Sequence, residues 1–273
     1  MIIDFHTHIF PYKIVEKTIA RLSEQSGIKP FSDATAEGLC RSMIDADVSV
    51  SVSLPVLTNP RQFNGVNGYA REINEEYRNF QNRIISFAGI HPFCDDLYGK
   101  MEYIKKVGFV GVKIHPDYQQ TFIDDERYIK ILDCAKSLDL VVVTHAGRDY
   151  GFKGLPVMCP PERAINVIKK VRHSKFVLAH YGGLDMWDDV LNVLAGEGAY
   201  FDTSFSIHKL NADTFNKILE KQGSNRILFA TDSPWQGQKE YVDIVKSFNL
   251  SKEVEEAIFY KNALKLLKEG GAL

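Results

Sequence analysis

Apolar runs rich in β-branched residues recur along the chain, each beginning 23 to 47 residues after the one before. Eight stand out: Met1–His8, Val48–Val56, Ile84–Pro92, Gly108–Pro116, Leu140–Gly147, Lys175–Gly183, Gly198–Phe205 and Arg226–Trp235. Their length and near-continuous hydrophobicity suit parallel strands buried on both faces. Amphipathic stretches follow most of them. Gly68–Phe80 mixes charged and apolar residues at helical spacing, and Asp124–Ser137 sets Tyr128, Ile131, Leu132 and Ala135 on one face. Pro161-Glu162 opens a helix that runs to about Arg172, with proline in the first turn, where its missing N–H costs nothing. Glu253–Lys268 lines up Ala257, Ile258, Leu264 and Leu267 on one side.

Eight strand–helix units in succession predict one α/β domain over residues 1–273, closed as a (β/α)8 TIM barrel. The rival, an open doubly wound sheet, would be signalled by a GxGxxG turn after the first strand, and none is there. Phe10–Asp33 and Asn59–Asn67 are longer than ordinary βα loops and are expected to contribute a lid over the barrel mouth.

Polar residues gather at the ends of the apolar runs. Six of the eight histidines, His6, His8, His91, His115, His145 and His180, lie there, together with Lys113 and Asp232. In an α/β barrel the C-terminal strand ends converge on the face that carries active sites. His6 and His8 are two apart on a strand, so both point the same way, and two imidazoles at that spacing can bind one cation. An isolated HxH is more often a core or surface pair. Here His145 at the end of the fifth strand and Asp232 at the end of the eighth would complete a four-ligand set, which points to a metal site.

Composition narrows the options. Lys and Arg number 33 against 35 Asp and Glu, so no basic field exists to grip nucleic acid. Cys40, Cys94, Cys134 and Cys159 are scattered without a CxxC pair, which fits a reducing, cytoplasmic setting better than a disulfide framework. The apolar start Met1-Ile2-Ile3 breaks at Asp4, so neither a signal peptide nor a membrane span is expected.

The segments Asp4-Phe5-His6-Thr7-His8, Gly111-Val112-Lys113-Ile114-His115-Pro116, Thr144-His145-Ala146-Gly147, Leu178-Ala179-His180-Tyr181-Gly182-Gly183 and Ala230-Thr231-Asp232-Ser233-Pro234-Trp235 resemble the amidohydrolase superfamily. The nearest branch is the amidohydrolase-related one that includes metal-dependent decarboxylases. Phe201-Asp202-Thr203-Ser204 and Lys261–Leu267 extend the likeness over nearly the whole chain. Gly89-Ile90-His91-Pro92 also resembles the more distant TatD-type metal hydrolases, although their fourth-strand glutamate is here Lys113.

The resemblance implies that His6, His8, His145 and Asp232 bind a divalent metal, zinc before manganese or iron, and that His180 assists catalysis. A metal-activated water would be the nucleophile, with Asp232 as general base and then acid. Lys113 falls where binuclear relatives bridge two metals through a carboxylated lysine. With His115 it is a candidate for a second metal or for substrate, one metal being the favoured reading. Arg61 and Arg148 are weaker candidates for clamping a carboxylate, and His91 and Trp235 for lining the pocket. Ser204 and Ser206 are weak substrate contacts, and His173 reads as a solvated helix-end residue.

The leading functional expectation is hydrolysis of a small-molecule amide, lactam, lactone or ester. The main alternative is non-oxidative decarboxylation of an aromatic or enol acid. A TatD-like nuclease or phosphodiesterase ranks lower, and a metal-binding barrel that serves only as a binding module is the non-enzymatic reading. The partner expected is a small-molecule substrate, with no nucleic acid or membrane. The resemblance makes a homodimer plausible.

Overall fold

A computed structural model describes residues 1–273, and all of the predicted strand runs form strands in it. They are β1 (Ile3–Thr7), β2 (Val50–Ser53), β3 (Arg83–Ser86), β4 (Ala88–Gly89), β5 (Gly111–Ile114), β6 (Val141–Thr144), β7 (Phe176–Leu178), β8 (Tyr200–Asp202) and β9 (Ile227–Leu228). Nine segments stand for eight runs because β3 and β4 are one run that changes partners at Phe87. Up to there it pairs with β2, and beyond it with β5.

Every pairing is parallel and follows chain order, β1-β2-β3 in one sheet and β4 through β9 in the other. The seam between β9 and β1 is bridged by Phe5 N–H to the Phe229 carbonyl at 2.9 Å, and by Asp232 N–H to the His6 carbonyl at 2.8 Å. A parallel bridge joins Thr7 to Ser233. The strands thus return to their start, the circular order of an α/β barrel.

Two apolar layers hold the barrel. Inward residues Ile3, Phe5, Val52, Val143, Val177 and Leu228 form an inner cluster, closed at one end by Ala263, Leu266 and Leu267 of the last helix. Outward residues such as Val112, Val142 and Phe201 pack against the surrounding helices.

A bulge in β1 sets the direction of the first strand-end histidine. Asp4 pairs with Ser51 but Thr7 with Ser53, so β1 holds one extra residue between them. The extra residue lets neighbours face the same way, as bulges beside active sites do. Phe5 fills the inner core, while His6, next in sequence, still points into the barrel.

Helix limits differ from the sequence reading where side chains cap the ends. The helix expected at Gly68–Phe80 runs from Phe63 to Glu76, preceded by a 3-10 turn at Pro60–Gln62. Asn59 and Gln62 form a reciprocal capping box there, which starts the helical stretch early. Asp125 accepts from the Arg127 N–H and opens the helix Glu126–Ser137. The helix expected at Glu253–Lys268 is broken into Lys252–Glu256, a π turn at Ala257–Lys261, and Asn262–Glu269. The Ile258 carbonyl in the π turn accepts the Phe229 N–H of the barrel at 2.9 Å. Such a diverted carbonyl is a natural companion of a π turn. Phe10–Asp33, expected as a loop, contains the helix Tyr12–Ser26. No helix is long and apolar enough to cross a membrane.

Candidate metal centre

The β1 and β9 ends bring three potential ligands together. His6, His8 and Asp232 each offer an atom within 4.8 Å of the others. Hydrogen bonds behind them determine what those atoms carry. His6 Nδ1 lies 2.9 Å from Asp202 Oδ2, and His8 Nδ1 lies 2.9 Å from the Leu54 carbonyl. A carboxylate and a carbonyl can only accept, so both Nδ1 atoms hold the hydrogen and both Nε2 atoms present lone pairs.

Those two Nε2 atoms are 3.2 Å apart, and Asp232 Oδ1 is 3.0 Å from His8 Nε2 and 3.5 Å from His6 Nε2. Three electron-pair donors converge this closely only around a proton or a cation. The donor set of two imidazoles and a carboxylate, each imidazole oriented by an outer partner, fits a divalent metal such as zinc or manganese. The residues present therefore suit the metal that the motifs imply.

Electrostatics support the same reading. Burial, then the nearby Lys113 charge, holds His6 well below the usual histidine range, so its imidazole is neutral. Burial pushes the Asp232 carboxyl up, but its contact with His8 and the nearness of the His6 ring outweigh it and leave the group below its ordinary value.

The His180 and Asp232 backbones lie in the left-handed region, with φ of 60° and 69°. Such conformations are uncommon for residues with a Cβ and persist where surrounding bonds fix them. His180 N–H donates to Asp202 Oδ1 at 3.0 Å, and Asp232 N–H to the His6 carbonyl.

His145, expected in the same ligand set, lines the same pocket. It belongs to a second group with His115 and Asp149, again within 4.8 Å of one another. His180 links it to the Asp202 side of the barrel. Its Nδ1 donates to the Ser204 carbonyl at 3.0 Å, and its Nε2 accepts from His145 Nδ1 at 2.9 Å. With both ring nitrogens engaged, His180 orients His145 while its ring lines the pocket base.

Lys113 is buried on the barrel floor, with Nζ 3.1 Å from His6 Nε2. Burial lowers its ammonium to about 8, against the opposing pull of Asp202 and Asp232. No carboxylate oxygen lies within 4.0 Å of it.

One pocket opens above this floor, lined by His6, His8, Lys113, His115, His145, His180 and Asp232 at its base. Trp235 lines it as expected, beside Phe10, Leu54, Val66, Leu184 and Phe205. Ile14, Arg21 and Leu22 of the helix Tyr12–Ser26 border it, so the long first loop does cover the mouth.

Arg61 and Arg148 do not reach this pocket: both are exposed, and Arg61 lines a separate surface groove with Asp95 and Asp96. His91 is buried outside the pocket, where its Nδ1 accepts the Phe93 N–H at 3.2 Å. His173 is not solvated, since it is buried with Nε2 donating to the Leu140 carbonyl at 2.8 Å. Ser204 lies beneath the centre, its hydroxyl 3.1 Å from both His6 Nδ1 and His180 Nδ1, rather than against substrate space.

Sequence reasoning missed Asp117 and Asp149 and gave Asp202 no role. Both missed acids follow a strand-end histidine closely, Asp117 two residues after His115 and Asp149 four after His145. That spacing is a usable signal.

The amidohydrolase family model matches residues 3–268. No curated protein matches the chain in sequence. Among solved structures, an uncharacterized TIM-barrel protein from Bordetella bronchiseptica is similar at 17% identity and TM-score 0.77, with 99% of each chain covered. 2,6-Dihydroxybenzoate decarboxylase from Rhizobium is similar at 15% identity and TM-score 0.69, with 99% of each covered. A dihydroxybenzoic acid decarboxylase from Polaromonas, with bound manganese and 2-nitroresorcinol, is similar at 15% identity and TM-score 0.70, covering 98% of this chain and 96% of its own.

Proposed function

The chain belongs to the amidohydrolase family, and from that premise we propose that it is a divalent-metal-dependent decarboxylase of a small aromatic or enol acid. One observation carries this reading: the buried Lys113 ammonium at the pocket floor has no carboxylate partner. A buried charge without a directly paired counter-ion is unfavourable. An acid substrate supplies the missing anion. The apolar walls above, Phe10, Leu54, Phe205 and Trp235 among them, suit a flat ring or conjugated chain. The two decarboxylases of similar fold are named for hydroxybenzoic acids, which suggests where substrate screening should begin.

His6, His8 and Asp232 would hold the metal. When bound, a divalent cation there would polarise a hydroxyl or carbonyl oxygen next to the reacting carbon and offset its negative charge. Lys113 pairs with the carboxylate and fixes its orientation. Loss of CO2 breaks the carbon–carboxyl bond and leaves its electron pair on the carbon, which must then gain one proton. That proton comes from solvent, relayed through the ionised Asp232 beside the pocket floor. His180 keeps His145 in its tautomer through the 2.9 Å bond between them.

Hydrolysis of a lactone, lactam, amide or ester is the second reading. It is favoured by the same Asp232, whose carboxyl lies below its usual range and so stands ready as a base. The two are separated by assaying Mn2+- or Zn2+-loaded protein against hydroxybenzoic and enol acids on one side and lactones and amides on the other. CO2 release with the matching decarboxylated product supports the proposal. Hydrolysis without CO2 replaces it with the second reading.

A further inference from the structure

We infer that the pocket takes a dicarboxylic acid, with one carboxylate at Lys113 on the floor and the other gripped at the mouth by Arg21 of the helix Tyr12–Ser26. The inference rests on the decarboxylase reading for the first carboxylate. It adds the second anion and the residue that selects it.

The helix Tyr12–Ser26 carries Lys13, Glu16, Lys17, Arg21 and Glu24 as its charged residues. Of these, Arg21 alone lines the pocket. Ile14, Thr18, Arg21 and Leu22 line it together, at the i, i+4, i+7, i+8 spacing of one helical stripe. The other charges lie off that stripe. Two anchors hold the helix in this orientation: Val15 is buried, and Gln25 Nε2 donates to the Gly151 carbonyl at 2.9 Å.

Arg21 has no counter-ion there. Glu24 stands three residues on, at a spacing where helical ion pairs commonly form. Asp149 lines the same pocket. Yet no carboxylate oxygen lies within 4.0 Å of the guanidinium. Asp149 is engaged elsewhere, with Oδ1 accepting from Gly151 N–H at 2.7 Å and Oδ2 3.4 Å from His115 Nε2. The charge of Arg21 is felt inside the pocket. Burial and then the Asp149 carboxylate push the Tyr118 phenol up, and Arg21 opposes them. Tyr118 packs edge-on against His115, with ring centroids 4.7 Å apart.

Lys113 and Arg21 are the only lysine and arginine that line the pocket. Its apolar walls include Phe10, Leu54, Val66, Phe205 and Trp235. The cavity measures about 480 Å3, which is room for more than a single substituted ring. An apolar body with an anion at each end matches this layout. The planar guanidinium fork suits a carboxylate in particular.

Isothermal titration calorimetry on the full, Mn2+-loaded chain tests the inference with two rigid pairs of acids. They are terephthalate with benzoate, and biphenyl-4,4'-dicarboxylate with biphenyl-4-carboxylate, so that two spans are sampled. In at least one pair the diacid should bind wild type at least ~10-fold more tightly than the mono-acid. Arg21→Gln should erase that preference and leave the mono-acid unchanged. Lys17→Gln removes the same charge from the same helix off the pocket stripe, and should keep the preference. Both positions are exposed, and circular dichroism checks that each variant is folded. Lys113→Met should weaken both members of a pair. The inference is overturned if neither pair shows a preference, if Arg21→Gln retains it, or if Lys17→Gln removes it equally. In those cases a mono-acid that still loses affinity in Lys113→Met leaves the decarboxylase reading standing. If Lys113→Met changes the binding of neither acid, that reading falls and this inference falls with it.

Discussion

Replacing Asp202 by asparagine tests the tautomer argument directly, because the change keeps the shape and removes one acceptor. Asp202 is fully buried at the end of β8. Its Oδ1 accepts from His180 N–H at 3.0 Å, from Ser204 N–H at 3.0 Å and from the Ser204 hydroxyl. Its Oδ2 accepts from His6 Nδ1 at 2.9 Å. An asparagine must place its oxygen on one side and its NH2 on the other. Turning the NH2 toward the two backbone N–H groups strands buried donors, at about 1–3 kcal/mol each. The oxygen therefore stays with them and the NH2 faces His6. The imidazole must then switch tautomer, which puts a hydrogen on Nε2, pointing at His8 and Asp232. Losing an outer-shell partner of a metal ligand typically weakens binding ~10–100-fold, equivalent to about 1.4–2.8 kcal/mol. Competition of Zn2+ between the protein and a chromophoric chelator near neutral pH measures this, with urea unfolding as a check on the fold. A dissociation constant for Asp202→Asn within about threefold of wild type would refute the assignment of lone pairs to the centre.

Lys113→Met keeps the volume and removes the buried ammonium, so stability in urea should hold or rise by about 1 kcal/mol, while kcat/KM for an acid substrate falls at least ~100-fold. Unchanged kinetics would remove Lys113 as the carboxylate anchor. His173 is held below its ordinary 6.5 first by burial, against the bond to Leu140. Its folded value is depressed, so the stability tied to its neutral form is complete above 6.5 and lost as pH falls toward the folded value. His173→Gln should flatten the pH dependence of the unfolding free energy from urea melts below 6.5 by up to about 1.4 kcal/mol per pH unit. An unchanged slope would assign acid sensitivity to other groups. Gly147→Ala should destabilise by more than about 2 kcal/mol. Its φ is +82°, and an added Cβ would stand 2.1 Å from the Leu184 backbone nitrogen. A midpoint within error of wild type would show that the β6 loop yields more than packing suggests.

The barrel is legible in the sequence because its signal is repeated. Val141–Thr144 alone is four apolar or β-branched residues that a buried helix could also contain. Eight such runs recurring along the chain, most of them carrying a polar residue near the end, leave few folds that bury them all. Features that depend on partners distant in sequence are not legible in the same way. The π turn at Ala257–Lys261 goes with a carbonyl bonded to Phe229 across the barrel seam, and no local pattern announces that bond. The helix Tyr12–Ser26 reads as loop because its apolar residues face the pocket mouth rather than the core, with Val15 its only buried one. His173 reads as a solvated helix end because the Leu140 carbonyl that receives it lies 33 residues away.

The candidate site shows the same division more sharply. Strand-end placement brings His6, His8, Lys113, His115, His145, His180 and Asp232 to one mouth, and all of them line one pocket. How they are shared out around that mouth depends on which ring nitrogen carries the hydrogen. That choice is made by groups behind the rings: Asp202 for His6, the Leu54 carbonyl for His8, and the Ser204 carbonyl for His180 and, through it, His145. Two of the three are backbone oxygens, whose positions no residue identity encodes. Sequence motifs therefore name which imidazoles can ligate, while the folded barrel determines where each lone pair points. In this chain the His6 and His8 lone pairs both point toward Asp232.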